Sequence, residues 1–284
     1  MSHEMQGKIC LVTGATLGIG KETALGLARK GAHVVIVGRD ESRTRQTAAW
    51  IAKESGNAQV DFLVADLSSQ AEVRRLAAAF ASIYPRLDVL INNAGAIFTK
   101  RELTVDGVER TWALNHLAEF LLTKLLLDKL AASAPARIVN VSSDAHTGGA
   151  IAFDNLQGEK KYGGMRAYAQ SKLANILFTF ALARRLAGKG VTANCLHPGV
   201  VATGFGHNTP GLVNTLLSLA RPFLLTPEKG AATSIYLASS PEVANVSGKY
   251  FVKCKPAASS KLSTDVALQE KLWELSERQT AASA

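Results

Sequence analysis

A chain of 284 residues, 47% apolar and 19% charged, suits one large α/β domain or two small ones with an ample core. Its net charge of +9 raises nucleic acid or an anionic membrane as partners, but no run of Lys or Arg exceeds two, so the charge reads as a solvated surface with a few groups to spare for an anionic cofactor. Three cysteines (Cys10, Cys195, Cys254) at no metal-ligand spacing imply reduced, packed thiols in a cytoplasmic protein with no metal site.

Residues 1–7 are short and polar, with neither a signal-peptide core nor an anchor, and are expected to be flexible. Residues 8–13 form an apolar run ending in turn residues, the mark of a buried strand. Gly14-Ala15-Thr16-Leu17-Gly18-Ile19-Gly20 follows, then a helical stretch over 21–30. Strand, glycine-rich turn and helix are the context a dinucleotide fingerprint requires: the glycines let the backbone approach a pyrophosphate seated on the helix N-terminus. The spacing is G-x-x-x-G-x-G rather than G-x-G-x-x-G, with the same physics.

A second strand over 31–38 ends at Arg39-Asp40, and a helix over 41–54 follows. The third strand (59–65) ends in Asp66-Leu67-Ser68, a helix runs over 70–84, and the fourth strand (87–91) closes on Asn92-Asn93-Ala94-Gly95. Residues 104–130 read as one long helix, apolar on more than one face; one face belongs on the sheet, and another suits a second subunit or a satellite core. The fifth strand (137–141) ends in Ser142-Ser143. A helix carrying Tyr168 runs to about 188, and the sixth strand (191–196) ends in His197-Pro198-Gly199. Residues 210–225 are apolar but broken by Asn214, Ser218 and Arg221, too short and interrupted to span a bilayer. A helix over 227–239 starts with proline, a last strand covers 248–252, and a terminal helix covers 264–278. This alternation predicts a doubly wound, Rossmann-type α/β fold: a parallel sheet with helices on both faces. No repeat or linker divides it, so residues 1–284 form a single domain with a C-terminal extension over 256–284.

Tyr168 and Lys172 lie one helical turn apart on one face. An ammonium group beside a phenol favours the phenolate, so Lys172 is expected to lower the pKa of Tyr168 from its ordinary value near 10 and tune it as a proton donor and acceptor. Ligands of open parallel sheets sit at the carboxyl ends of the strands. The glycine turn, Arg39, Asp66, Asn93, Ser143, Pro198 and Gly199 all fall there.

With these residues in place, the chain resembles the short-chain dehydrogenase/reductase family. Thr13-Gly14-x-x-x-Gly18-Ile19-Gly20, Asp66-Leu67, Asn92-Asn93-Ala94-Gly95, Asn115, Ser143, Tyr168-x-x-x-Lys172 and Pro198-Gly199 occur in the family's order over residues 8–253. Residues 137–146, the run from Tyr168 to Asn175 and the tail from Lys271 to Glu277 resemble its retinol dehydrogenase-like branch. The resemblance implies an NADP(H)-dependent alcohol dehydrogenase or carbonyl reductase acting on a small lipophilic alcohol or carbonyl, without a metal. It implies cofactor contacts from Gly14, Thr16, Leu17, Gly18, Ile19 and Gly20, with Asp66 and Leu67 at the adenine. Asn93, Ala94 and Gly95 form the floor, and Pro198, Gly199, Val201 and Thr203 line the nicotinamide end. It gives Lys172 the nicotinamide ribose, Tyr168 the substrate proton and Ser143 the substrate oxygen, with Ser142 the lesser alternative. Asn115 holds a water that extends a proton relay from the lysine.

Gly38 stands where NAD-using relatives carry an acid and is expected to leave room, while Arg39 pairs with the 2′-phosphate of NADP through a rigid two-bond fork. Leu17 replaces a basic residue common in NADP-using relatives. Ser143 and Tyr168 are 25 residues apart, about twice the usual separation, so the glycine-rich residues 144–166 are expected to wall the substrate pocket. His146 lies within reach of a substrate there, but it and His197 read as structural. The family places a mobile lid at 205–225, an alternative being a packed helix pair. Its long helices commonly build a homodimer or tetramer, unless the terminal helix caps that face. Two other classes are weighed. A redox-inactive sensor or scaffold of the same fold usually lacks the tyrosine or lysine, and a nucleic-acid binder would show a recognition motif.

Overall fold

The computed structural model describes residues 4–201 and 225–281. In chain order the strands are β1 (Ile9–Thr13), β2 (His33–Gly38), β3 (Val60–Val64), β4 (Val89–Asn92), β5 (Ala136–Val141), β6 (Val191–His197), β7 (Tyr250–Val252) and β8 (Lys255–Ala257). The helices are α1 (Gly18–Arg29), α2 (Glu41–Ser55), α3 (Gln70–Ile83), a short α4 (Arg110–Trp112), α5 (Ala118–Ala132), α6 (Gly164–Arg185), α7 (Pro227–Ser239) and α8 (Val266–Thr280).

One sheet runs β3-β2-β1-β4-β5-β6-β7-β8, parallel except for the antiparallel last pair. Alternating side chains feed two cores, as the two-residue period of a strand dictates. Leu11, Val35 and Val37 face the layer of α3, α5 and α6, with Phe80, Leu126 and Phe178. Cys10, Val12, Val34 and Ile36 face the layer of α1, α2 and α7, with Leu27, Ile51 and Leu237. Strand order reverses between β1 and β4, which pair Cys10 with Val89 and Val12 with Ile91, and this opens a crevice at the carboxyl edge.

The structure corrects several expectations. Within the N-terminal stretch Met5 is buried, its N–H bonds Lys30 O, and the exposed Glu4 pairs with Lys30 at 2.7 Å. The long helix starts at Arg110, not Thr104, because Gly107 adopts φ +71° in a turn closed by the bridge of Leu103 to Glu109. Between α4 and α5 the chain makes a π-helical turn over Ala113–Leu117. β8 straddles the start of the C-terminal extension and carries Pro256 opposite Phe251 at the sheet edge, where a missing N–H is tolerated.

The terminal helix α8 of the same chain packs along α6 and reaches part of α5, on the face expected to seat a second subunit unless that helix caps it. Trp273 packs edge-on against Phe120 at 5.1 Å and lies under the Arg185 guanidinium at 4.0 Å. Lys124 pairs with Glu277, and Arg184 and Arg185 with Glu270. Among the described residues, no helix is long and apolar enough to cross a membrane.

Candidate active site

The glycine turn is a cradle built by close backbone packing. Gly14, at φ +62°, lies so near β4 that a Cβ there would sit 2.8 Å from Ala94 Cα, and a Cβ on Gly20 would overlap the Asn93 amide. Asn93 braces the turn, donating from Nδ2 to Thr13 O at 2.9 Å and Gly14 O at 3.1 Å. Thr13 Oγ1 accepts from the N–H groups of Asn93 and Ala94. Thr13 thus supports the turn, a role its place in the motif does not disclose.

α1 begins at Gly18, three residues earlier than expected, so Gly18, Ile19 and Gly20 form its first turn. Leu17 at the N-cap supplies no side-chain bond, and no acid lies in that turn. Its N–H groups therefore lack a side-chain cap at the positive end of the helix dipole, where a dinucleotide pyrophosphate fits. Ile19 packs toward Gly230 of α7, and the side chain of Leu67 is buried in the core. Asp66 accepts from Ser68 N at 2.9 Å and from its hydroxyl at 2.7 Å. Pro198 and Gly199 follow β6, and Val201 bridges to Leu225. Thr203 and the lid, apart from Leu225, lie outside the described residues.

At the far end of β2, Arg39 is exposed and Asp40 turns away to cap α2, accepting from Arg43 N at 2.7 Å. Gly38 itself has no space for a side chain. A Cβ there would overlap the Thr44 hydroxyl and the Thr16 methyl. Thr44 is fully buried and bonded to Asp40 O, so it cannot swing aside.

The side chains expected to react lie near the carboxyl ends of β4 and β5. Adjacent residues at a strand end point opposite ways, and this separates the two serines. Ser142 is buried and donates to Lys172 O at 2.7 Å, holding α6 to the sheet. Ser143 instead shares a side-chain hydrogen bond with Tyr168. Lys172 is buried and donates from Nζ to Val141 O at 2.8 Å. That carbonyl was not foreseen, since a backbone acceptor leaves no mark in a sequence.

Lys172 Nζ and Asn115 Oδ1 each lie 3.3 Å from where a Cβ on Gly95 would be, so the missing side chain is what lets them converge. Asn115, in the π-helical turn, accepts from Ala96 N at 2.9 Å and donates to Ala96 O and Ser171 Oγ. Its side chain ties the loop after β4 to α6.

The electrostatics differ from expectation. Burial pushes the Tyr168 phenol up to about 12, opposed by the bond from Ser143. Lys172 Nζ sits 5.6 Å from the ring centroid, over the ring and committed to a carbonyl, so desolvation wins over any pull on the phenol. Burial also draws Lys172 down to about 8, opposed by Glu119. Glu119 is itself buried, accepts from Asn175 Nδ2 at 2.9 Å, and is held well above the usual carboxylate range by desolvation. At neutral pH the site thus presents a protonated phenol beside a protonated lysine.

A phenol, a hydroxyl and a lysine set beside a dinucleotide cradle define a nicotinamide-dependent oxidoreductase site. The chain belongs to the short chain dehydrogenase family, whose model matches residues 8–211, and within it to the retinol dehydrogenase-like branch. Retinol dehydrogenase 14 of Homo sapiens is 45% identical across 96% of this chain and 86% of its own length. Retinol dehydrogenase 12 of Mus musculus is 44% identical across the same shares. Among solved structures, an uncharacterised protein from Mycobacterium Paratuberculosis superposes with TM-score 0.78 at 33% identity, covering 97% of this chain and 94% of its own. The Pseudomonas aeruginosa RhlG/NADP active-site complex does so with TM-score 0.71 at 30% identity, covering 88% and 96%.

Proposed function

We propose that the protein is an NADP(H)-dependent oxidoreductase that interconverts a lipophilic alcohol and its ketone or aldehyde, with Tyr168 as general acid/base. The observation that carries this reading is the pairing of the Tyr168 and Ser143 side chains next to the buried Lys172, at the mouth of the glycine cradle. Bound NADPH supplies the hydride. Gly14 to Gly20 and Asn93 would hold the dinucleotide, and Lys172 would serve its nicotinamide ribose. Ser143 steadies the substrate oxygen by hydrogen bond. Tyr168 delivers its proton to that oxygen as negative charge develops there, and a phenol kept protonated by burial suits this direction. The names of the retinol dehydrogenase relatives support a lipophilic substrate, and the NADP complexes among the structural neighbours support the coenzyme.

Preference for NADPH over NADH rests on Arg39 at the β2 terminus. A charge-assisted contact with the 2′-phosphate contributes roughly 1.5–3 kcal/mol, or about one to two powers of ten in affinity. The test is kcat/KM for decanal and for acetone with each coenzyme, in the parent and in Tyr168→Phe. The parent favours decanal and NADPH. The variant loses roughly 10²–10⁴ in turnover, the range for a lost general acid, while NADPH affinity holds because the ring remains. Activity of the variant within tenfold of the parent overturns the assignment of Tyr168.

A further inference from the structure

The short turn after Ser143 is held from two sides. On one, His197 Nδ1 accepts the Asp144 N–H at 3.1 Å. On the other stands His146, 1% exposed and bonded at both ring nitrogens. Its Nδ1 lies 2.7 Å from Ser143 O, and its Nε2 accepts the Ser260 N–H at 3.1 Å. The ring rests edge-on against Tyr250 of β7, centroids 5.0 Å apart. Ser260 belongs to the C-terminal extension, 114 residues away in sequence. It is seated in turn by Ser263, whose N–H and hydroxyl both donate to Ser260 O, and Gln269 of α8 donates to Ser263 O.

These contacts fix the tautomer. A backbone N–H can only donate, so Nε2 is an acceptor, and a neutral ring then carries its proton on Nδ1, aimed at the Ser143 carbonyl. The opposite tautomer would set donor against donor at Ser260 and acceptor against acceptor at Ser143. A single protonation pattern therefore links α8, through Ser263, Ser260 and His146, to the residue whose hydroxyl bonds Tyr168.

We propose that His146 is a positioning residue that couples the docked C-terminal extension to Ser143, so that the seating of the tail sets the seating of the serine. This rests on reading Ser143 as the group that steadies the substrate oxygen. Ser260 offers a way to cut the link without touching the site. Its φ of −60° is one that proline adopts, and Ser260→Pro removes the N–H and puts ring carbon in its place against His146. The Ser260 hydroxyl has no hydrogen-bond partner among the described residues to be lost with it.

The experiment is a double-mutant cycle on Ser260→Pro and His146→Ala, read as kcat and KM for decanal and as NADPH affinity by nucleotide fluorescence. It is joined to ¹⁵N-histidine NMR of the parent without coenzyme. In the parent, His146 is neutral with its proton on Nδ1. Each single variant loses about fivefold to tenfold in kcat, what one hydrogen bond contributes to positioning, with NADPH affinity within about twofold. The double variant is no worse than His146→Ala, because the path is already cut. His146→Asn, which keeps a donor near Ser143 but cannot reach Ser260, matches Ser260→Pro.

A proton on Nε2, losses that add in the double variant, or an unchanged kcat in Ser260→Pro overturns the coupling. Ser143→Ala is the separate control. Full activity there removes the reading of the serine, while the tautomer and any shift of the Ser143 and Ala145 amide resonances in Ser260→Pro still report whether the tail and the turn are linked.

Discussion

Lys172→Met should leave the protein at least as stable as the parent at pH 7 while removing its activity. Burial draws the ammonium from its ordinary 10.5 down to about 8. Each pH unit is worth about 1.4 kcal/mol, so holding the charge in the fold costs about 3 kcal/mol. Methionine fills similar space without a charge. Against this gain, Val141 O loses its donor, Lys172 Nζ at 2.8 Å, and an unpaired buried carbonyl costs about 1–3 kcal/mol. The net change therefore lies between about zero and 2 kcal/mol of stabilisation.

The pH dependence has a definite sign. Below pH 8 the lysine is protonated folded and unfolded, and the penalty is constant. Between 8 and 10.5 the unfolded chain binds more protons, so this group makes the parent more stable as pH rises. Above 10.5 both states are neutral and the slope ends. Urea melts of parent and variant at pH 7 and pH 10 isolate the lysine, because other titrating groups are common to both proteins. The variant's advantage should shrink by about 2–3 kcal/mol across that interval. A variant more than 2 kcal/mol less stable than the parent at pH 7, or a difference that does not move with pH, would show that the lysine is not a desolvated charge.

Gly38→Asp, the change expected to favour NADH, should instead destabilise the fold by about 1–3 kcal/mol through overpacking against Thr44 and Thr16. Adding Thr44→Ala should restore part of the loss in a thermal melt, and a Gly38→Asp protein of parental stability would refute the packing. Ser143→Ala should lower kcat by at least tenfold with little change in melting temperature. Ser142→Ala should lower stability by about 1 kcal/mol, since it unties Lys172 O from β5; the reverse pattern would exchange the two serines. Light scattering at micromolar concentration should give the mass of one 30.1 kDa chain, because α8 packs along α6 and takes up part of the face a second subunit would use, and a dimer mass would count against that reasoning.

What was legible in the sequence was local. The apolar runs of β1, β2 and β4, the glycine turn and the four-residue step from Tyr168 to Lys172 each carry their structural meaning within a few residues, and the parallel sheet follows from their alternation. The two serines were ranked by resemblance alone, and the structure adds that Ser142 is buried and bonded to Lys172 O while Ser143 meets Tyr168. What escaped depends on partners distant in the chain. The start of the long helix turned on Gly107 and on Leu103 meeting Glu109. β8 has a proline and no alternation, and becomes a strand only because β7 offers it an edge. That residue 38 could carry no side chain was hidden, because Thr44 and Thr16 meet there only in the fold. The charge states belong to the same class. Spacing set Lys172 beside Tyr168 and suggested a lowered phenol, but spacing carries no information on solvent. Once both groups are buried, desolvation acts on each separately and in opposite directions, raising the phenol and lowering the amine. At neutral pH burial therefore keeps the phenol and the amine both protonated, which spacing alone could not have shown.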